Sequence, residues 1–100
     1  MKPHIQISKE EIAEFCKENQ IRKFSLFGSV LRKDFNPQSD IDVLVEFKPG
    51  KRVGLLRMGR MVNELSILFK RPVDLRTPAD LSRYFREEVV NSAEIQYAEQ

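Results

Sequence analysis

Leu26–Phe47, LFGSVLRKDFNPQSDIDVLVEF, joins an apolar run that halts at Gly28-Ser29 to a second run that begins Ser39-Asp40-Ile41-Asp42. Side chains two apart on a strand share a face and the chain rises about 3.3 Å per residue, so Asp40 and Asp42 project side by side, roughly 6 to 7 Å apart along the backbone. The other face carries Ile41, Val43, Val45 and Phe47. That pattern fixes the register, because a slip of one residue would bury both acids and expose the apolar set. Upstream, Lys23–Phe27 reads as a short strand ending at Gly28, and Ser29 opens a helix of one or two turns through about Lys33. Glycine permits close backbone approach or a positive φ, and the N–H groups at a helix start favour an anion such as phosphate. An anion-binding corner therefore precedes two carboxylates able to grip one or two cations.

Outward from this stretch, Ser8-Lys9-Glu10-Glu11 has the form of a capping box, with Ile7 and Ile12 spaced for a hydrophobic staple, and predicts a helix from Lys9 to about Asn19. Its apolar face is Ile12, Phe15 and Cys16. His4 precedes it with no partner that could complete a site and is read as solvated. Asn36-Pro37 marks a loop before the acids, and Arg32 sits close enough to the anion corner to serve it or to pack its stem on the short helix. Lys48–Gly54 is a basic, turn-rich connection whose cations Lys51 and Arg52 read as solvated surface. From Leu55 to Lys70 the apolar positions Leu55, Met58, Val62, Leu65 and Phe69 step by 3, 4, 3 and 4, an amphipathic helix. Gly59 within it implies close packing against a neighbour, since glycine costs about 1 kcal/mol there relative to alanine.

Arg71-Pro72 ends that helix and Val73-Asp74-Leu75-Arg76 begins another strand. The 31 residues between Asp42 and Asp74 suffice for the end of one strand, a crossover helix and a return, a right-handed parallel βαβ unit. On neighbouring strands about 4.8 Å apart, Asp74 reaches the space above Asp40 and Asp42; the alternative is an acid at a strand end that caps a loop or pairs with Arg76. Thr77-Pro78-Ala79-Asp80 is a further helix start, followed by the apolar stripe Leu81, Tyr84, Phe85 and Val89, which covers the sheet or meets a partner. Glu94–Tyr97 reads as a strand-like or extended tail.

One hundred residues are enough for one domain, 1–100, with a modest core. A net charge of +2 is too small to argue for a nucleic-acid surface or an anionic membrane. Cys16 is the single cysteine, so no intramolecular disulfide exists and burial is its expected fate. The first ten residues lack the apolar centre of a signal peptide and no apolar run approaches a membrane span, so the expected location is the cytoplasm.

An apolar strand, Gly28-Ser29, a short helix carrying Arg32, then Ser39-Asp40-Ile41-Asp42, with Asp74 in a later strand, resembles the nucleotidyltransferase superfamily that includes DNA polymerase beta. The resemblance is closer to its small stand-alone members, the MNT-type (minimal nucleotidyltransferase) proteins, and covers about residues 8 to 97. It implies an α/β (α+β) nucleotidyltransferase fold: a small mixed β-sheet of about three to four strands with helices packed on it, in the order αβαβαβα. It implies catalytic and metal-binding roles for Asp40, Asp42 and Asp74 with two Mg²⁺ ions, and binding of ATP, as a nucleoside triphosphate, by Gly28, Ser29, Arg32 and Ser39. It also implies that the chain is the antitoxin of a pair, transferring AMP to a tyrosine of a HEPN-type RNase toxin in a hetero-oligomer, with no membrane and no direct nucleic-acid binding. Two alternatives stand beside it: a non-catalytic module that masks the toxin, and a nucleotidyltransferase acting on a small molecule or an RNA end.

Overall fold

Residues 8–28, 40–51 and 53–99 are described in the computed structural model. Ser8, in extended conformation, caps helix α1 (Lys9–Glu18) by accepting a hydrogen bond on Oγ from the Glu11 N–H at 3.3 Å. Glu10 and Glu11 in the first turn and Lys17 in the last suit the helix dipole. The Asn19 amide donates to Phe15 O at 2.9 Å, and Gln20, at φ 60°, turns the chain into strand β1 (Ile21–Phe27). Strand β2 (Ile41–Phe47) lies antiparallel to β1, with Phe27 opposite Asp42 and Leu26 opposite Val43.

Helix α2 (Leu55–Phe69) ends where Lys70 adopts the left-handed conformation at φ 57° and Pro72 forbids continuation. It leads to strand β3 (Val73–Arg76), which pairs parallel with β2 as the βαβ spacing requires. The 94–97 tail is a true strand, β4 (Glu94–Ala98), antiparallel to β1 on the far edge. The sheet order is β3-β2-β1-β4, a four-stranded mixed sheet in an α/β architecture, as the sequence implied.

One face of this sheet holds the core. Ile21, Phe24 and Leu26 of β1 and Ile41, Val43 and Val45 of β2 meet Ile12, Phe15 and Cys16 of α1 and Met61 and Leu65 of α2. Phe15 and Phe24 pack edge to face, with centroids 6.3 Å apart. Burial pushes the Cys16 thiol up to about 12, the behaviour of a small core residue rather than a nucleophile. The alternation that buries Ile41 and Val43 leaves Asp42 half-buried on the other face, level with Phe27.

Three expectations change. The helix opened at Thr77 lasts one 3-10 turn, Pro78–Asp80, and a new helix, α3 (Arg86–Ser92), follows. The Arg86 guanidinium donates to Pro78 O at 2.7 Å and Leu81 O at 3.1 Å, occupying carbonyls that a continuous helix would have paired with its own N–H groups. Ser82 O instead accepts from the N–H groups of Phe85 and Arg86 at 2.9 and 2.8 Å, starting the turn afresh. In α2 the buried residues are Met61 and Leu65, whereas Leu55, at the first turn, is 92% exposed. Gly59 is exposed, with no atom within 4 Å of where a Cβ would stand, so no close packing explains it. The helix expected over 29–33, the Asn36-Pro37 loop, His4, Ile7 and Arg52 lie outside the described residues.

Candidate active site

The site forms where three strands come level on the face away from the core. Asp42 is the register partner of Asp74 across the parallel β2–β3 pair and of Phe27 across β1–β2. Register partners share a face, so the two carboxylates rise side by side from adjacent strands about 4.8 Å apart. Ile41 N–H donates to Pro72 O at 2.9 Å, which locks the two strands together one residue ahead of the pair. Immediately after β1, Gly28 has φ +72°, and a Cβ built on it would overlap Asp42 Oδ2 and lie 3.2 Å from Asp42 Cγ. Glycine is therefore required here twice over, for the left-handed backbone and for the carboxylate seated against it.

Asp74 already has a cation. Arg76, two residues on along the same face, donates from Nε to Oδ1 at 3.0 Å and from a terminal guanidinium nitrogen to Oδ2 at 3.3 Å. This fork holds the Arg76 guanidinium above its ordinary range, chiefly through the Asp74 hydrogen bond and charge, with Asp80 and Asp42 adding to it. Asp74 thus pairs with Arg76, the alternative the sequence left open, while standing level with Asp42 on the next strand; Asp40, Asp42 and Asp74 are not gathered as three ligands of one ion. Asp40 is exposed immediately before β2. Among the described residues no group of three or more carboxylate, imidazole or thiol ligands is spaced to hold one ion. Mg²⁺ does not need one, because it is bound by one or two carboxylates with water and substrate phosphates completing an octahedron. The Asp42 and Asp74 oxygen donors fit that requirement. Ser29, Arg32 and Ser39 lie outside the described residues.

Beside the corner, a groove of about 520 Å³ is lined by Phe27, Gly28, Asp42, Phe85, Glu88, Val89 and Ser92. The sequence stripe of Leu81, Tyr84, Phe85 and Val89 is assigned to the sheet or a partner; two of its members, Phe85 and Val89, line this groove, together with Glu88 and Ser92, which the sequence reading does not single out. The available signal was excess: Tyr84 and Phe85 remain 77% and 61% exposed, apolar surface the core does not use. No described helix is long and apolar enough to cross a membrane.

Comparison with known proteins gives the family of the chain and the kin of its fold. The family model described as "Nucleotidyltransferase domain" matches residues 9–96. A Methanocaldococcus jannaschii protein named "Putative protein adenylyltransferase MJ0435" is 32% identical over 85 residues, spanning 85% of this chain and 89% of its own. A solved structure described as a "putative minimal nucleotidyltransferase" superposes with a TM-score of 0.70 at 30% identity, covering 85% of each chain. A complex described as tri-AMPylated Shewanella oneidensis HEPN toxin with MNT antitoxin has a TM-score of 0.65 at 20% identity, covering 90% of this chain and 69% of the other. At that identity the last likeness speaks for the fold alone.

Proposed function

The chain belongs to the nucleotidyltransferase domain family, and from that premise we propose that it acts as one domain, a Mg²⁺-dependent antitoxin enzyme that moves AMP from ATP to a tyrosine of a HEPN-type toxin and so neutralises it. The observation that carries this reading is the pairing of Asp42 with Asp74 at one level of parallel strands, with the Gly28 backbone against Asp42. The adenylyltransferase name of the archaeal relative and the AMPylated toxin of the Shewanella complex support the nucleotide and the acceptor class.

In this reading Asp40, Asp42 and Asp74 hold two Mg²⁺ ions, and Gly28, Ser29, Arg32 and Ser39 hold the triphosphate. Bound Mg²⁺ supplies charge neutralisation at the α-phosphate and at the leaving pyrophosphate. Gly28 keeps the corner open to a phosphate, because any side chain there would displace the Asp42 carboxylate. Asp74 accepts a hydrogen bond from the acceptor hydroxyl and so orients it in line with the α-phosphorus. The phenolic oxygen then bonds to that phosphorus, the bond from phosphorus to the pyrophosphate oxygen breaks, and the phenolic proton passes to Asp74. The Arg76 fork competes for the same two Asp74 oxygens.

Incubating the chain with a HEPN-type toxin, Mg²⁺ and ATP labelled at the α-phosphate tests the proposal. The toxin acquires label, γ-labelled ATP gives none, and Asp42→Asn abolishes transfer; undiminished transfer by that variant refutes the assignment. A masking role without chemistry is favoured by Leu55 and Leu56, 92% and 89% exposed on the first turn of α2 and suited to a protein contact. Neutralisation by the Asp40→Asn/Asp42→Asn protein equal to wild type would establish that masking suffices.

A further inference from the structure

The groove between β1 and α3 shares Gly28 and Asp42 with the site but lies on the β1 side of Asp42, whereas Asp74 stands on the β3 side. The acid assigned to the acceptor and the groove are therefore on opposite flanks of Asp42. A nucleotide with its α-phosphate at Asp42 has to send its nucleoside away from the acceptor, toward the groove.

The lining chemistry agrees with a nucleoside and not with more phosphate. Phe27, Phe85 and Val89 are apolar, Asp42 and Glu88 are anionic, and no cation occurs among the described lining residues. Glu88, a lining carboxylate with no part in holding the metal, repels a polyphosphate but accepts hydrogen bonds from hydroxyl and amino groups. The volume of about 520 Å³ falls within the usual range of roughly 300 to 1,000 Å³ for small-molecule sites. Phe85 is 61% exposed, so its ring is open to a planar partner. It is also held in place: the Arg86 side chain binds Pro78 O and Leu81 O, and the Phe85 N–H donates to Ser82 O at 2.9 Å.

We propose that this groove is the nucleoside subsite: Phe85 stacks on the purine base of the bound nucleotide, and Glu88 accepts hydrogen bonds from its hydroxyl or amino groups. The assignment rests on the nucleotidyl-transfer reading and adds the residues that recognise the base end.

Isothermal titration of wild type, Phe85→Ala and Phe85→Trp with two probes separates the possibilities: a non-hydrolysable ATP analogue with Mg²⁺, and Mg²⁺ tripolyphosphate. Base–aromatic stacking of the usual strength makes Phe85→Ala bind the ATP analogue about tenfold more weakly, within a span of roughly 5- to 150-fold, while tripolyphosphate binding is unchanged. Phe85→Trp restores nucleotide affinity. Because the chain contains no other tryptophan, its fluorescence reports the site directly, quenched by the nucleotide and not by tripolyphosphate. If wild type binds both probes and Phe85→Ala binds the ATP analogue equally well, the subsite is wrong and the transferase reading stands. Equal weakening of both probes shows a structural role for Phe85 and overturns the proposal. If wild type binds neither probe, the subsite and the transferase reading fall together.

Discussion

Replacing Gly28 by alanine separates the backbone requirement at the corner from the carboxylate seated against it. At φ +72° an alanine carries the left-handed penalty of about 1 to 2 kcal/mol. Its methyl would also overlap Asp42 Oδ2 and sit 3.2 Å from Cγ, and forcing a half-buried carboxylate aside adds about 1 to 3 kcal/mol, the usual cost of overpacking. The total destabilisation expected for Gly28→Ala is therefore about 2 to 5 kcal/mol. In an Asp42→Ala background both offending atoms are gone, and the nearest remaining atom is the residue 42 Cβ at 3.5 Å, an ordinary contact. Only the backbone penalty of about 1 to 2 kcal/mol survives there. Urea unfolding of the four proteins in this cycle, at constant m, measures the coupling. A coupling of about 1 to 3 kcal/mol is expected, outside the roughly 0.5 kcal/mol within which independent sites add. The reasoning is refuted if Gly28→Ala costs the same in both backgrounds, or costs nothing.

Arg76→Ala removes the fork on Asp74, so Mn²⁺, used as a spectroscopic stand-in for Mg²⁺, binds more tightly, while stability moves by less than about 1 kcal/mol because the pair is exposed; unchanged Mn²⁺ affinity would show that the fork does not compete. Cys16 has a folded pKa of about 12 against an ordinary 9.0, so its contribution is complete below pH 9 and is lost as pH rises toward 12. Denaturation midpoints should accordingly fall with pH above 9, by at most about 1.4 kcal/mol per pH unit from this group, with a shallower fall in Cys16→Ala; identical slopes would remove Cys16 from the account. Ser8→Ala should cost about 1 kcal/mol through loss of the cap on Glu11 N–H, read as a lower Tm, whereas Ser8→Asp should be nearly neutral.

What was legible followed from period and spacing. The alternation Ile41, Asp42, Val43 admits one register, and the length from Asp42 to Asp74 admits a parallel return, so the acid pair follows from pattern and spacing. Ser8 announced α1 by its chemistry. The break at 81–85 was harder because the stripe of Leu81, Tyr84, Phe85 and Val89 has helical spacing throughout. The interruption comes from the Ser82 carbonyl, which accepts from the Phe85 and Arg86 N–H groups, and from an Arg86 side chain that reaches back to two carbonyls. Leu55 fits the α2 stripe by spacing, but as the first residue of the helix it is left in solvent. The pairing of β4 with β1 depends on a long-range contact, with an irregularity between Phe24 and Ser25, that no local pattern encodes.

The central claim is that Asp42 and Asp74 act together on one transfer. Single-turnover rates of AMP transfer to a HEPN-type toxin, for wild type, Asp42→Asn, Asp74→Asn and the double variant, test it most directly. Groups that act as a unit lose their function together, so each single variant should fall by about 10² to 10⁴ and the double variant no further. Near-wild-type rates in either single variant, or losses that multiply in the double, would contradict it.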